Sequence, residues 1–473
     1  MWFIILPAYL VGIILVMNNL SQSLQNLKIF YETGQTLNYN YRKNQLLLLK
    51  KTIIDFEEEL YSALYTDLKK SKEECWVTEN GFVITELNNT LRNLKKWMQP
   101  KTVSTNLLNF PSSSKIINEP LGTVLIIGPW NYPLQLLFTP LIGAIAAGNC
   151  VVLKPSEFAP ATSAVMKKII ESIFPEEYVL FVEGDGATVV PAMLQAFTFN
   201  HIFYTGSTFV GKIIYKLAAE KLVPVTLELG GKSPCIVESD AQINIAAKRI
   251  VLTKFSNCGQ MCVAPDYVLV HESKKEQLIT EIIKYIKQFF TEDALQCDCY
   301  GKIINAKQFD RIINYLKEGE IVFGGNFNKE QLYIQPTIIT NISLNDSIMK
   351  DEIFGPVLPV ISFQTIEEAK QIVAQNPNPL AFYIFTSNTK KEETYLQIPS
   401  GGVCVNNASW HLTNHALPFG GRGFSGIGQY HGEFSFDTFS HKKAILKTPT
   451  WFDPKIKYPP FKGKLKLFKM IIK

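Results

Sequence analysis

From Leu46 the apolar positions Leu46, Leu49, Ile53, Phe56, Leu60, Leu64 and Leu68 advance by three and four residues. That spacing places them on one face of an amphipathic helix. Helix is expected to continue through Trp97, until Pro100 and the polar run Lys101 to Ser114 break the pattern. The pattern then changes. Apolar, strand-like runs begin near Gly122, Cys150, Tyr178, His201 and Pro224. Between them lie helical stretches near Pro133 to Ala147, Pro160 to Ile173, Ala187 to Phe197 and Phe209 to Ala219. This alternation predicts an α/β fold with a parallel, doubly wound sheet. After Gly231 it resumes with longer helices, such as Lys274 to Phe290, which predicts a second α/β domain.

The two ends read differently. Met1 to Met17 is almost wholly apolar, and the first charged side chain is Lys28. A spanning helix needs about 20 apolar residues, so residues 1–20 are a candidate membrane segment. They lack the basic start and small-residue cleavage site of a secretory signal. Lys28, Arg42 and Lys43 follow, which would keep the remainder on the cytosolic side of the endoplasmic reticulum or another organelle. Without that segment the chain is expected to be cytoplasmic. Residues 461–473 mix five lysines with Leu465, Leu467, Phe468, Met470, Ile471 and Ile472. Each lysine adds about 1 kcal/mol near an anionic bilayer, so this tail is expected on a membrane surface, being too short to span one.

Composition sharpens this only a little. A chain of 473 residues with 47% hydrophobic and 19% charged side chains is too long for one small core and too apolar for bulk disorder. A net charge of +5 does not point to nucleic acid. The eight cysteines show neither a disulfide framework nor zinc spacing, so Cys297 and Cys299 are expected as free thiols.

Candidate chemistry centres on Cys262, in Phe255-Ser256-Asn257-Cys258-Gly259-Gln260-Met261-Cys262, and on Glu228, in Leu227-Glu228-Leu229-Gly230-Gly231-Lys232. A thiol and a carboxylate together can form and then hydrolyse a thioester. A free thiol has a pKa of about 8.5, so a helix N-terminus or a nearby cation is expected to activate Cys262. Gly259 would allow close approach of a substrate or cofactor. Cys258 stands four residues before Cys262. In a helix it would share its face, either packing there or forming a reversible disulfide with Cys262. Glu228 serves as a base or else pairs with Lys232. Asn131, in Gly128-Pro129-Trp130-Asn131-Tyr132-Pro133, follows a strand and precedes a helix. There it serves the turn or donates to a developing oxyanion. Lys154 and Glu157 follow another strand, where they could meet ribose hydroxyls. Gly206-Ser207-Thr208-Phe209-Val210-Gly211 opens a helix and suits a pyrophosphate, although the spacing is a weak general signal. His411, His415 and His431 lack the His-Glu-x-x-His arrangement and are expected to be structural, so no metal is assigned.

These motifs, with Glu352-Ile353-Phe354-Gly355-Pro356 and the run Leu417 to Gly426, resemble the aldehyde dehydrogenase superfamily over most of the chain. Val263-Ala264-Pro265-Asp266-Tyr267 resembles its class 3 branch, the fatty-aldehyde-dehydrogenase-like family 3. The resemblance implies a Rossmann-like cofactor domain over 24–227, with arm strands near 103–122. It further implies a catalytic domain over 228–425 and a return segment and β oligomerisation arm over 426–460, exchanged in a homodimer. It implies Cys262 as nucleophile, Glu228 as water-activating base and Asn131 as oxyanion donor. NAD or NADP would be held by Trp130, Lys154, Glu157, Gly206, Ser207, Gly211, Leu229, Glu352 and Phe354. Glu352 would meet the nicotinamide ribose and is a rival candidate for the base. The expected reaction is oxidation of medium- to long-chain aliphatic aldehydes to carboxylic acids. The competing readings are a CoA-acylating dehydrogenase, a silent membrane-tethered scaffold and a thiol esterase. Met261, beside the nucleophile, and Arg422, in the glycine-rich run, depart from the pattern.

Overall fold

In the computed structural model, which describes residues 8–472, the helix expected from Leu46 is two. Tyr39–Asp55 and Glu57–Leu68 meet at Phe56, and Leu46, Leu49, Ile53, Leu60, Leu64 and Leu68 still share a buried face. Lys69, at φ 56°, turns the chain out of the second helix. Helix resumes at Lys72 and reaches Trp97 with one widened turn, Trp76–Asn80. There the Gly81 N–H returns to the Trp76 carbonyl, five residues back, and Gly81 has no Cβ to collide with that oxygen.

The strands fall where the alternation placed them. One sheet has the order Gly426–Ile427, Val225–Leu229, His201–Gly206, Thr123–Ile127, Cys150–Lys154, Val179–Phe181. All neighbours are parallel except the first pair. Its central strands are buried along their length, which accounts for their unbroken Val, Leu and Ile runs. The chain begins at the central strand Thr123–Ile127, winds to one edge, and restarts on the other side at His201–Gly206. The switch point lies between those two strands, where crevices form at the carboxyl ends of parallel sheets. The helix Pro133–Ala147 starts beside this point, and all fifteen of its residues are buried. Its end is fixed by Gly148, at φ 97°, against which the Arg42 guanidinium lies while donating to the Ala146 carbonyl at 3.0 Å.

A second sheet repeats the winding. Its order is Glu320–Phe323, Thr337–Thr340, Val357–Phe363, Tyr267–His271, Pro234–Val237, Ala381–Phe385, Gly402–Val405. Only the first strand is antiparallel to its neighbour. A third, antiparallel sheet joins Lys101–Val103, Ser113–Pro120 and the exposed Ser440–Lys447.

Two expectations about the ends and cysteines change here. Residues 1–7 of the apolar N-terminal run lie outside the described residues; helix begins at Ala8 and runs to Glu32. Among the described residues no helix is long and apolar enough to cross a membrane. Cys297 and Cys299, expected as free thiols, are joined as a disulfide across a single residue.

One long-range cap ties the N-terminal helices to the first sheet. Asp67 accepts from the Thr162 N–H and hydroxyl, both at 2.8 Å, and from the Ala161 N–H at 3.3 Å, at the start of the helix Pro160–Ile173. Asp67→Ala leaves those donors unpaired and is expected to cost about 1–3 kcal/mol. Urea unfolding reads this directly, and an unchanged midpoint would deny the cap its role.

Candidate active site

The chain does not stay helical up to Cys262. The helix Ile243–Phe255 ends at Ser256, and Asn257 and Cys258 adopt left-handed conformations at φ 49° and 53°. Cys258 and Cys262 therefore share no helical face, and of the two alternatives for Cys258 the structure shows packing. Cys258 is fully buried against the Tyr300 hydroxyl, and burial pushes its thiol up. Gly259, at φ 71°, is demanded by its own fold: a Cβ there would collide with the Gly355 carbonyl. It thus makes room for the neighbouring loop, where the sequence suggested a substrate or cofactor.

Gln260 locks this loop. Its side-chain amide donates to Asn257 O at 3.0 Å and Lys302 O at 2.9 Å, and its side-chain oxygen accepts from Ile304 N at 3.0 Å. Its main-chain carbonyl accepts from Asn131 Nδ2 at 3.0 Å. The Asn131 amide is thereby aimed beside Cys262 with one of its two N–H groups unspent. The Asn131 carbonyl is held in turn by Lys70 Nζ and Asn257 Nδ2, both at 2.9 Å. Lys70 is buried, pairs with Glu79 at 2.7 Å and sits 3.8 Å from the centre of the Tyr132 ring. Glu79 lies in the widened turn and accepts from Gln135 N at 2.9 Å, in the first turn of Pro133–Ala147. Glu74, one turn earlier, accepts from Asn257 N at 2.9 Å. Lys70, Glu74 and Glu79 belong to no motif that carries chemistry, and Asn257 and Gln260 stand in the Cys262 motif without a role assigned from sequence. The one available signal was their polar character beside apolar runs.

Glu228 stands near the end of Val225–Leu229 with both carboxyl oxygens buried and no hydrogen-bond partner. Burial raises its pKa well above the usual carboxylate range. The suggested pairing with Lys232 does not form. Lys232 pairs with Asp266 and donates to Ile348 O at 2.7 Å and Asp351 O at 3.0 Å. Asp266 accepts from Ile353 N at 2.9 Å, so this buried pair staples the Glu352 loop to the second sheet. Arg311 adds bonds to the Glu352 and Ile353 carbonyls at 3.2 and 2.7 Å. The Glu352 carboxyl lies over Gly230, where any Cβ would strike it. Burial, then Asp266, holds its pKa well above the usual range, against Lys232 and Arg311. Phe354 turns at φ 48° and sets its ring edge-on to Trp130, centroids 5.4 Å apart.

Cys262 has neither of the expected activators among the described residues. Burial first, then Glu352 and Glu228, push its thiol up; only the Cys262 and Val263 N–H groups oppose this. Cys262 is thereby biased to the neutral thiol, and both carboxyls lie within electrostatic reach of it.

The sulfur stands between two cavities. One, of about 620 Å³, opens at the switch point and is lined by Trp130, Asn131, Gly206, Ser207, Glu228, Leu229, Arg311, Glu352 and Phe354. Its size falls within the range of small-molecule and cofactor sites. Thr205 offers a buried hydroxyl without a partner there, and Ser207 caps the helix Thr208–Ala219. These features fit a dinucleotide. Lys154, Glu157 and Gly211 do not line this cleft. Lys154 donates to Pro155 O at 2.6 Å and Glu157 at 3.2 Å; Glu157 also accepts from Gly186 N at 3.0 Å. Gly211 makes room for Leu229. The other cavity, of about 200 Å³, is walled mainly by apolar side chains that include Phe82, Leu252, Met261, Trp410 and Tyr430. The three histidines cluster near it. His431 stacks on Phe419 with Nδ1 3.0 Å from Leu412 O, His415 lies 2.6 Å from Glu86, and His411 lies 3.2 Å from Cys404 Sγ. Burial lowers the pKa of His431 and of His411 to about 4.

A thiol and two buried carboxyls facing a dinucleotide-sized crevice define a class: an α/β oxidoreductase working through a covalent sulfur intermediate. Comparison with known proteins specifies it. The model of the aldehyde dehydrogenase family matches residues 30–445. The 4,4'-diaponeurosporen-aldehyde dehydrogenase of Staphylococcus aureus is 43% identical over 97% of this chain and 100% of its own. Aldehyde dehydrogenase family 3 member H1 of Arabidopsis thaliana is 41% identical over 96% and 94%. The dimeric, NADP-preferring aldehyde dehydrogenase of Canis lupus familiaris is 38% identical over 95% and 99%. The solved substrate-bound state of Staphylococcus aureus AldH superposes with a TM-score of 0.94 at 43% identity, covering 96% of this chain and 99% of that one. The chain belongs to the aldehyde dehydrogenase family, with relatives in its family 3, and is an NAD(P)-dependent aldehyde dehydrogenase.

Buried Glu228 generates a stability prediction. Its folded pKa lies above the unfolded value of about 4.3. As pH rises between the two, the unfolded chain releases a proton that the folded chain keeps, so stability falls. Glu228→Gln removes this cost. The variant is expected to melt higher than wild type at pH 8, with the gap closing toward pH 4. A gap independent of pH would contradict the assignment.

Proposed function

We propose that Cys262 is the nucleophile, Asn131 the oxyanion donor, Glu228 the water-activating base and Glu352 a cofactor-binding group, acting on medium- to long-chain aliphatic aldehydes. The observation that carries this reading is the place of the Cys262 sulfur, at the junction of the polar cleft and the apolar pocket. An aldehyde reaches the thiol from the apolar side. A neighbouring carboxylate takes the thiol proton as sulfur attacks the carbonyl carbon. The charge that develops on oxygen is met by the spare N–H of the Asn131 amide and the Cys262 main-chain N–H. The resulting thiohemiacetal faces the cleft lined by Trp130, Gly206, Ser207, Leu229 and Phe354; these residues would hold NAD or NADP, which would supply a hydride acceptor there, and oxidation would leave a thioester on Cys262. Glu228 then takes a proton from water, the water oxygen attacks the thioester carbon, and the carboxylic acid departs as the thiol reforms.

The unpartnered Glu228 carboxyl supports hydrolysis over transfer to CoA, and over a silent scaffold, because an ionisable group buried without a task is costly. Gly206, Ser207 and Leu229 would line the cofactor's path, with Trp130 and Phe354 beside the reactive end. Lys154, Glu157 and Gly211 would contribute only if the adenosine end runs beyond the cleft. We read the division into a cofactor domain (24–227), a catalytic domain (228–425) and a return arm (426–460) in the same terms. The exposed strand Ser440–Lys447, and a relative named as dimeric, support a homodimer. Exposed Phe461, Leu465, Met470 and Ile472 beside the tail lysines support contact with an anionic membrane surface.

The test is NAD(P)H formation from hexanal and hexadecanal without CoA. Cys262→Ala is expected to abolish turnover, and Asn131→Ala to lower kcat about 10²–10³-fold. Glu228→Gln should retain a single burst of NAD(P)H and lose steady turnover, which leaves the thioester trapped. A burst of that form in Glu352→Gln instead would move the base to Glu352. Hexadecanal is expected to exceed hexanal in kcat/KM, and the reverse order would refute the long-chain reading.

A further inference from the structure

We propose that Cys297 and Cys299 form a reversible oxidation site, closed to a disulfide by hydroperoxides and opened by dithiols, whose state is transmitted to the catalytic loop through Gln260. The two cysteines flank exposed Asp298 in the turn that follows the helix Lys275–Phe290. Their Cα atoms are 5.3 Å apart, within the span a disulfide bridges, and the sulfurs are bonded. A ring that encloses one intervening residue removes little entropy from the unfolded chain, so the bond contributes little as a structural staple. The reduced form also has a place. The Cys299 sulfur lies 3.4 Å from the Phe289 carbonyl, to which a thiol can donate. Lys69 donates to Leu295 O at 3.1 Å and Cys297 O at 3.5 Å, so a positive charge sits at the turn, a setting that favours reactive thiolates.

The chain that leaves this turn is the strap around the catalytic loop. Tyr300 reaches Ile334 O at 2.8 Å and lies against Cys258. Lys302 donates its N–H to Leu68 O at 3.0 Å, and its carbonyl accepts from Gln260 at 2.9 Å. Ile304 N donates to the Gln260 side-chain oxygen at 3.0 Å, while the Gln260 main-chain carbonyl holds Asn131. Opening or closing the ring changes the freedom of the chain directly before Tyr300, and so the support that Lys302 and Ile304 give Gln260.

The chemistry balances. The more accessible Cys299 attacks a peroxide oxygen as thiolate, the O–O bond breaks, and water or an alcohol leaves, giving a sulfenic acid. The Cys297 thiol attacks that sulfur, the S–S bond forms and the sulfenic oxygen departs as water. Two thiols are oxidised and one hydroperoxide is reduced. A dithiol reverses this by exchange.

The test uses the full chain and does not depend on the roles given to Cys262 or Glu228. Trypsin releases the segment from Gln288 to Lys302, which holds both cysteines and no other. After hydrogen peroxide this peptide is expected to be two hydrogens lighter and inert to iodoacetamide; after dithiothreitol it should take two alkyl groups. Hydrogen exchange over residues 256–262 should be several-fold faster in the reduced protein than in the oxidised one. Neither Cys297→Ser nor Cys299→Ser should show either response, and two variants guard against one that fails to fold. Cysteines that alkylate fully after peroxide would overturn the site. So would stoichiometric zinc bound by the reduced pair, with Asp298 as the third ligand. Equal exchange around Gln260 in both states would overturn the coupling.

Discussion

The buried pair between Lys70 and Glu79 is the constraint on which the rest of the site depends. It joins three pieces of chain distant in sequence: the turn after Leu68, the widened turn of the helix reaching Trp97, and the start of the helix Pro133–Ala147. Lys70 fixes the main chain of Asn131, and Glu79 fixes the helix that begins two residues later. Such a pair gives little net stability, yet removing one partner strands the other charge and typically costs about 3–5 kcal/mol. Its value is positional. On the proposed reading of Asn131 as oxyanion donor, the donor must be in place before charge develops, because reorienting it during the reaction would consume the benefit.

A second pair does the same on the opposite wall. Lys232 and Asp266 tie the segment after Glu228 to the loop carrying Glu352. The glycines between them are there for closeness: Gly230 admits the Glu352 carboxyl, and Gly259 admits the Gly355 carbonyl. The two carboxyls and the thiol are thus brought together by backbone contact between loops, with no cation placed at the sulfur among the described residues. All three are consequently biased to their neutral forms.

Much of this was legible in the sequence, for identifiable reasons. Strands buried on both faces must be apolar throughout, so their starts at Cys150 and His201 could be read to the residue. The helices Pro133–Ala147 and Pro160–Ile173 announce themselves with proline in the first turn. The motif residues Asn131, Glu228, Cys262, Glu352 and Phe354 do converge on one cleft. What could not be read was anything requiring two distant segments at once. In the polar scaffold, Lys70 lies in the turn after Leu68, and Glu74 and Glu79 lie in helix whose periodicity speaks only of its apolar face. The left-handed turn at Asn257 and Cys258 was hidden because both residue types are compatible with helix, and only contact with Glu74 and Tyr300 shows why the chain leaves it. Lys154 and Glu157, expected at ribose hydroxyls, pair with each other and with the Pro155 carbonyl and the Gly186 N–H outside the cleft lining.

The neutral bias of the site gives it a division of labour. A thiolate held permanently at Cys262 would be open to oxidants between turnovers, whereas a thiol that needs a base reacts only when a carboxylate is available to receive its proton. That places sensitivity to oxidation elsewhere in the molecule. The turn at Cys297 and Cys299 is the one described place where two sulfurs are already joined, and it lies beside a lysine at the outer end of the strap that supports Gln260. Burial and its acidic neighbours bias Cys262 to the neutral thiol, while the second pair, with Cys297 buried and Cys299 half-buried, can take up oxidising equivalents without consuming it.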